Sequence, residues 1–184
     1  MTRLQNGNDG RIFLRFFAAE DAEQLLALHM RNRDFFRQFI STRSDNFYTL
    51  ESQQDIVVRD ERARLAGTDY SFGIFLAEGG ELVGNVALTG IIRGALRSCF
   101  IGYFLDREEN GKGYATEAVG LAVDYAFDTL KLHRIEAGVM PHNIRSMRVL
   151  EKCGFRKEGI ARKSVEIDGV WQDHQMLAIL SDDR

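Results

Sequence analysis

Apolar positions along the chain change period several times, and each change marks an element. From Asp21, which reads as a helix cap, the run AEQLLALHM brings Leu25, Leu26, Leu28 and His29 round at helical spacing, predicting a first helix. A second helical stretch, Thr49 to Ala66, is dense in charge and is expected to lie exposed over a surface or an edge. The period then falls to two. SFGIFLAEGGELVGNVALTGI reads as two strands joined through Glu78, Gly79, Gly80 and Glu81, because apolar residues flank residues that tolerate positive φ. CFIGYFL, Cys99 to Leu105, is a further strand. After Gly113, residues Ala115, Ala118, Val119, Ala122, Ala126 and Leu130 fall on one face of a helix. His133 to Val139 follows as a strand with Ile135, Ala137 and Val139 on one side, and a short helix opens at Asn143 and stops at Gly154. The last stretch, ARKSVEIDGVWQDHQMLAIL, is a hairpin turned by Asp168 and Gly169. The pattern is α/β, with helices interleaved in a mostly antiparallel sheet.

Composition narrows the function. With 184 residues, 45% hydrophobic and 28% charged, one core and one domain over 1–184 are expected, and with a single proline, Pro141, no internal linker suggests itself. The start, MTRLQNGNDG, lacks the basic and apolar regions of a leader, and the most apolar helical stretch is broken by Asp124, so a cytoplasmic protein without a membrane partner is expected. A net charge of −3 argues against direct nucleic-acid binding, which needs a basic face. Cys99 and Cys153 form no CxxC and read as core thiols, and His29, His133, His142 and His174 lack ligand spacing, so no metal is expected.

The stretch NGKGYATEAVG joins the strand ending at Leu105 to the helix after Gly113. A glycine loop entering a helix leaves backbone N–H groups unpaired and aims the positive end of the dipole at whatever lies in front of it. That is an anion site, with Gly111 allowing close approach, Gly113 the tight entry, and Lys112 adding charge at the rim. A nucleoside-triphosphate cradle is excluded by the missing GK[ST] ending, and the dinucleotide fingerprint by Thr116 at the third glycine position. A plain tight turn explains the loop equally well on spacing alone.

Three blocks resemble the GNAT acetyltransferase superfamily, in particular its RimJ/RimL-like ribosomal-protein N-acetyltransferase branch: IGYFLDREENGKGYATEA, HRIEAGVMPHNIRSMRVLEKCGFRKEG and DGVWQDHQMLAIL. RFFAAEDAEQLLALHMRNRDF and SFGIFLAEGGELVGNVAL extend the likeness over nearly the whole chain. The resemblance implies a mixed, mostly antiparallel sheet flanked by helices, with acetyl-CoA, the acetyl donor, in the gap between two parting central strands. It places the pyrophosphate on Asn110, Gly111, Lys112, Gly113, Tyr114, Ala115 and Thr116, and the pantetheine arm along the main chain of Phe104 and Leu105. Asn110 stands where the family usually has Gln or Arg. Asn143 and Ser146 match the family's NxxS element, implying an asparagine contact to the pantetheine and a serine near the sulfur; the same spacing also describes a helix N-cap, and both roles can coexist. Arg148 is implied near the loop, in reach of the 3′-phosphate, while Arg145 and Lys152 read as a solvated basic face.

Acetyl transfer to a primary amine needs a neutral amine, a place for the developing oxyanion and a proton for the departing thiolate. Backbone N–H groups near Leu105 suit the oxyanion and Ser146 the proton. The acidic residue that many relatives carry on the first cofactor strand is replaced by Phe100, so the base is sought in the terminal hairpin. There Ser164, Glu166, Trp171 and Asp173 share one face on a regular register; Glu166 is the first choice and Asp173 the second, with an ordinary solvated face as the alternative. The acceptor implied is a protein N-terminal α-amino group; a small amine (polyamine or aminoglycoside) and a non-catalytic acyl-CoA sensor are the alternatives, and a homodimer is left open.

Overall fold

The computed structural model describes residues 3–6 and 10–184. Eight strands form one sheet: β1 (Arg3–Leu4), β2 (Ile12–Phe16), β3 (Tyr70–Leu76), β4 (Leu82–Ile92), β5 (Ser98–Leu105), β6 (Arg134–Val139), β7 (Arg156–Ile167) and β8 (Val170–Leu180), in the order β1-β2-β3-β4-β5-β6-β8-β7. Every neighbouring pair is antiparallel except β5 and β6. The helices are α1 (Ala22–Arg31), α2 (Arg33–Phe36), α3 (Leu50–Ala66), α4 (Tyr114–Asp124) and α5 (Ile144–Lys152). One face of the sheet meets α1 and α3 through Phe13, Phe75 and Leu82 against Leu25, Leu28 and Val57. The other meets α4 and α5, where Ala118, Ala122, Met147 and Leu150 join Ile12, Leu14, Ile101 and Leu177.

Most expected elements form for the expected reasons. Thr49 caps α3 by accepting from the Ser52 N–H, and Gly67 ends it at φ 73°. Gly79 and Gly80 turn β3 into β4 at φ 81° and 70°, and Asp168 and Gly169 turn β7 into β8 at φ 48° and 79°. Three details differ. The Asp21 carboxylate does not cap α1; it is buried, accepting from Arg15 at 2.5 and 2.6 Å and from the Ala18 N–H at 2.7 Å. The long helix leaves α-geometry after Asp124 and closes through a wider turn, with the Leu130 N–H on the Tyr125 carbonyl. Strand β2 has no alternation to find, because Ile12, Phe13 and Leu14 are all buried, one on each face in turn.

A fourth difference bears on the site. Ala161 pairs with His174 and Val165 with Gln172, so β7 carries extra residues between them, with Lys163 at φ 47°. The bulge turns Ser164 to the side of His174, 3.4 Å from its Nδ1, and off the face of Glu166, Trp171 and Asp173. The Asp173 carboxylate accepts from the Lys163 N–H at 2.8 Å.

Beyond β5 the chain is tied to the end of α1. Asp106, buried, accepts from Arg31 Nε at 2.5 Å and from the Glu108 N–H, while Asn32 Oδ1 accepts from the Arg107 N–H at 2.9 Å. Burial alone would raise the Asp106 carboxyl, but the bonds from Arg31, the Glu108 amide and Asn32 outweigh it and hold it below its ordinary value. A depressed folded-state value means stabilisation that is present above the ordinary carboxylate range, about pH 4, and lost as pH falls below it. Asp106→Asn should therefore unfold at lower Tm near neutrality, by about 1–2 kcal/mol because Arg31 can turn to solvent, and lose less stability than the parent between pH 5 and pH 3 in thermal melts, the window being about that of a carboxylate.

Candidate active site

Strands β5 and β6 run together for only three pairs, Ser98 with Arg134, Cys99 with Ile135 and Phe100 with Glu136, and then part. The Arg97 carbonyl accepts from the His133 and Arg134 N–H groups on the β6 side, and the Asp106 N–H donates to Val83 on the β4 side. Backbone direction alternates along a strand, so beyond Cys99 the N–H and C=O groups of Ile101, Tyr103 and Leu105 face the gap while those of Phe104 face β4. Leu105 thus offers main chain to a ligand; Phe104 offers its ring, 4.9 Å from Phe36 and 5.2 Å from His29. Burial, then the charge of Arg43, lowers His29 to about 4, so this ring is neutral among its aromatic neighbours near pH 7.

At the mouth of the gap the glycine loop enters α4. Gly111 and Gly113 lie at φ 82° and 88°, and a Cβ on Gly111 would meet nothing within 4 Å. Gly113 is crowded from behind: a Cβ would stand 2.9 Å from Arg11 Nη2, whose guanidinium also donates to the Lys112 carbonyl at 2.7 Å. Glu117 accepts from the Arg11 and Ile12 N–H groups, so the loop and first turn of α4 are fastened to the start of β2. The Asn110 amide donates to the Asp106 and Arg107 carbonyls and closes the loop on itself. Lys112 turns outward to Glu109, 2.8 Å away, and Arg107 is the loop-side cation that lines the cleft.

The cleft has a volume of about 750 Å³. Leu105, Asn110, Gly111, Gly113, Tyr114, Ala115 and Thr116 form one wall, and Arg145, Arg148, Val149 and Lys152 of α5 the other, with Phe35 and Gln38 at the top. Arg145 and Lys152, read from sequence as solvated, stand beside Arg148 in this wall. Unpaired N–H groups at a helix start, an open glycine and four cations make a fitting seat for a pyrophosphate and a further phosphate. At the start of α5, Asn143 Oδ1 accepts from the Ser146 N–H at 3.2 Å, and Ser146 Oγ lies 2.8 Å from the hydroxyl of Tyr103 on β5, which also reaches the Ser146 carbonyl at 3.0 Å. Burial holds the Tyr103 phenol well above its ordinary value, so it keeps its proton. Burial likewise pushes Cys99 to about 12 and Cys153 to about 11, leaving both as thiols.

The chain belongs to the GNAT acetyltransferase family. The family model, an acetyltransferase (GNAT) domain, matches residues 11–156. A probable N-acetyltransferase of Bacillus subtilis (strain 168), YjcK, is 58% identical over 172 residues, 94% of this chain and 95% of its own. The [ribosomal protein uS5]-alanine N-acetyltransferase of Escherichia coli (strain K12) is 31% identical, covering 94% of this chain and 89% of that one. Among solved structures, Mycobacterium smegmatis RimJ in complex with CoA-disulfide superposes with a TM-score of 0.90 at 30% identity, over 99% of this chain and 87% of that one. The protein is an acetyl-CoA-dependent N-acetyltransferase, and the parting of β5 from β6 is the opening of the GNAT fold. Among the described residues, no helix is long and apolar enough to cross a membrane.

The sheet divides the remaining site residues by face. Tyr103, Leu105, Val139 and Leu177 look toward α4 and α5, the side of the cleft; Phe100, Gly102, Phe104, Gly138, His174 and Met176 look the other way. Glu166 pairs with Trp171, on the cleft side, but both are exposed near the end of the hairpin. Residues 37–44 cross from α2 to that hairpin, where the Thr42 N–H and hydroxyl donate to Asp168 at 2.7 and 2.8 Å. Calorimetry should show acetyl-CoA binding to the parent protein. Gly113→Val should abolish that heat and lower Tm by about 1–3 kcal/mol in stability, since a branched residue at φ 88° is strained and drives into Arg11; normal binding would make the loop structural only.

Proposed function

We propose that the acetyl acceptor is the α-amino group of a protein N-terminus, of the ribosomal-protein type, entering on the sheet face opposite the cofactor cleft. The observation that carries this is the character of that face. Around the gap it offers Phe100, Gly102, Phe104, Gly138 and Met176, and its carboxylates among the described residues, Glu136 and Glu158, are both bound to Arg134, at 3.0 and 2.8 Å. A polyamine or an aminoglycoside needs several free carboxylates; a peptide end with one amine and a small side chain needs an open, uncharged floor. Arg37 and Arg43 in the crossing segment further disfavour a polycation. The likeness to the uS5-alanine enzyme supports the same acceptor class.

The bound donor supplies a thioester carbonyl open to an amine. The residues divide the remaining work. The loop from Asn110 to Thr116, with Arg107, Arg145, Arg148 and Lys152, holds the phosphates; the Leu105 main chain and Asn143 align the arm, and the backbone N–H of Leu105 faces the position where negative charge grows. Ser146 holds the proton for the sulfur. Proton counting sets its partner's role. Two hydroxyl protons are shared among Ser146 Oγ, Tyr103 Oη and the Ser146 carbonyl. If the phenol donates to the carbonyl, the serine proton is spent on Tyr103; if the phenol donates to Ser146 Oγ, the serine proton is free to turn into the gap. Tyr103 is thus a positioning residue for Ser146. Glu166, or Asp173 behind it, lies on the cleft side at the exposed end of the hairpin and would act as base for an amine on the opposite face only by way of solvent.

Thiol release with a panel of peptides, polyamines and aminoglycosides tests the acceptor: peptides with a free, small N-terminal residue should turn over, blocked peptides should not, and turnover of polyamines alone would overturn the reading. Ser146→Ala should cut kcat about tenfold to a hundredfold with acetyl-CoA affinity within about twofold. Tyr103→Phe should have a smaller effect on kcat that vanishes in the Ser146→Ala background, whereas additive losses would mean that Tyr103 acts only on packing.

A further inference from the structure

His174 is a buried imidazole for which neither the fold nor the cofactor site has a use. It is 9% exposed, on β8, on the face that looks away from α4 and α5. Its surroundings fix the ring. Nδ1 lies 3.4 Å from Ser164 Oγ, which the β7 bulge delivers to this side. The opposite flank is turned to β6: a Cβ built on Gly138 would stand 3.6 Å from His174 Cδ2 and 3.7 Å from its Cβ. Nε2, next to Cδ2 in the ring, therefore belongs to the flank that borders β6, and it has no hydrogen-bond partner among the described residues. Gly138 lies in the stretch of β6 that has left β5, so this flank of the ring borders the gap across a residue without a side chain. Across the gap on the same face is Gly102, where a Cβ would meet nothing within 4 Å.

We infer that His174 is the base for the acceptor amine, with Nδ1–H donating to Ser164 and the Nε2 lone pair turned toward the gap. The inference rests on the reading that the amine enters on this face. Acid and base then stand on opposite sides of the sheet, Ser146 with the cofactor and His174 with the acceptor. The ammonium first loses one proton to solvent. As the N–C bond forms and the C–S bond breaks, the nitrogen gives a second proton to Nε2 and the sulfur takes one from Ser146; solvent returns the proton from His174 to the serine, so the transfer step is neutral overall. The charged or titratable neighbours are Glu136 on the same face of β6 and Glu158 on β7, both bound to Arg134, the exposed Arg162 and Lys163 on the bulge, and Asp173 on the other face of β8, bound to the Lys163 N–H; Ala161, Gln172 and Met176 complete the surroundings on β7 and β8.

The experiment is a pH–rate series of kcat/KM with a peptide acceptor, for the parent, His174→Gln and Gly138→Ala, alongside acetyl-CoA titrations. His174→Gln should lose about a hundredfold near neutrality and change the shape of the profile, with acetyl-CoA affinity within about twofold. Gly138→Ala guards against a folding defect at the buried histidine: its methyl would make only ordinary contacts, the nearest at 3.5 Å, so it should fold as the parent does, yet it stands between ring and gap and should cost about tenfold. A His174→Gln profile parallel to the parent's, or full activity in Gly138→Ala, would overturn the assignment. If the parent turns over no peptide at any pH but does acetylate another amine, the acceptor reading fails, and the same two variants assayed with that amine still decide on His174.

Discussion

The rest of the site depends on the divergence of two strands after three paired residues. Had β5 and β6 stayed together, the amides of Ile101, Tyr103 and Leu105 would have been consumed inside the sheet. Left without a partner in a dry place, each costs about 1–3 kcal/mol, so the opening has to be wet or filled by a chain carrying its own amides. Its shape is maintained from outside. The far end of β5 is pinned by Asp106 to Arg31, and the Arg107 amide to Asn32, at the end of α1. Strand β6 is held along its whole length by β8, from Arg134 with Leu180 to Val139 with Gln175, and then turns into α5 through the Asn143 N–H on the Met140 carbonyl. Neither strand can close on the other without giving up bonds already made.

The same economy places the anion seat. The loop that follows β5 has its own closure through Asn110, and its exit into α4 is fixed to a distant part of the chain by Glu117, which takes the Arg11 and Ile12 amides at the start of β2, and by Arg11, which donates back to the loop. A cradle made of backbone N–H groups needs this support, because a dipole that can reorient pays on binding what a fixed one has already paid on folding. Arg11 also explains a glycine. At 113 the requirement comes from φ and from the guanidinium packed behind the loop, whereas at 111 the space is open and serves the ligand side.

What could be read from the sequence was whatever had a period, a cap or a turn. The α3 helix announced itself by Thr49 and Gly67, the last hairpin by Asp168 and Gly169, and the cofactor wall by the glycine loop followed by an amphipathic helix. Strand β2 was hidden because both of its faces are covered, and α2 because four residues give no period. The hairpin face was misread at one position for a physical reason: a two-residue periodicity holds only until a bulge, and Lys163 at φ 47° carries no signature in a run of ordinary residues. Beyond the bulge, Glu166, Trp171 and Asp173 do share a face, but parity cannot say which side of the sheet that face is on until β8 has been paired with β6. Tyr103 escaped notice, and His174 was noted only as a histidine without ligand spacing, for a related reason. Each lies in a strand that looks like core, and their meaning comes from partners contributed by α5 and by the bulge, 43 and 10 residues away.

Charge is sorted across the sheet in a way that the net value of −3 conceals. Arg107, Arg145, Arg148 and Lys152 gather on the cleft side, while on the opposite face around the gap Arg134 engages the carboxylates of Glu136 and Glu158 and His29 is held neutral by burial. A polyanionic donor would therefore be drawn to one side of the molecule from a distance and held there by fixed charge. An acceptor on the face proposed for it would meet no comparable field, so its recognition would come from fit against Phe104 and the two glycines, and its ammonium form would gain little by waiting there. A site that bound the cation tightly would stabilise the protonated ground state and raise the barrier to forming the nucleophile. A floor whose carboxylates are both engaged by Arg134, with one imidazole at its margin, would avoid that cost, and it would make the neutral amine, the form that can react, the form that is best accommodated.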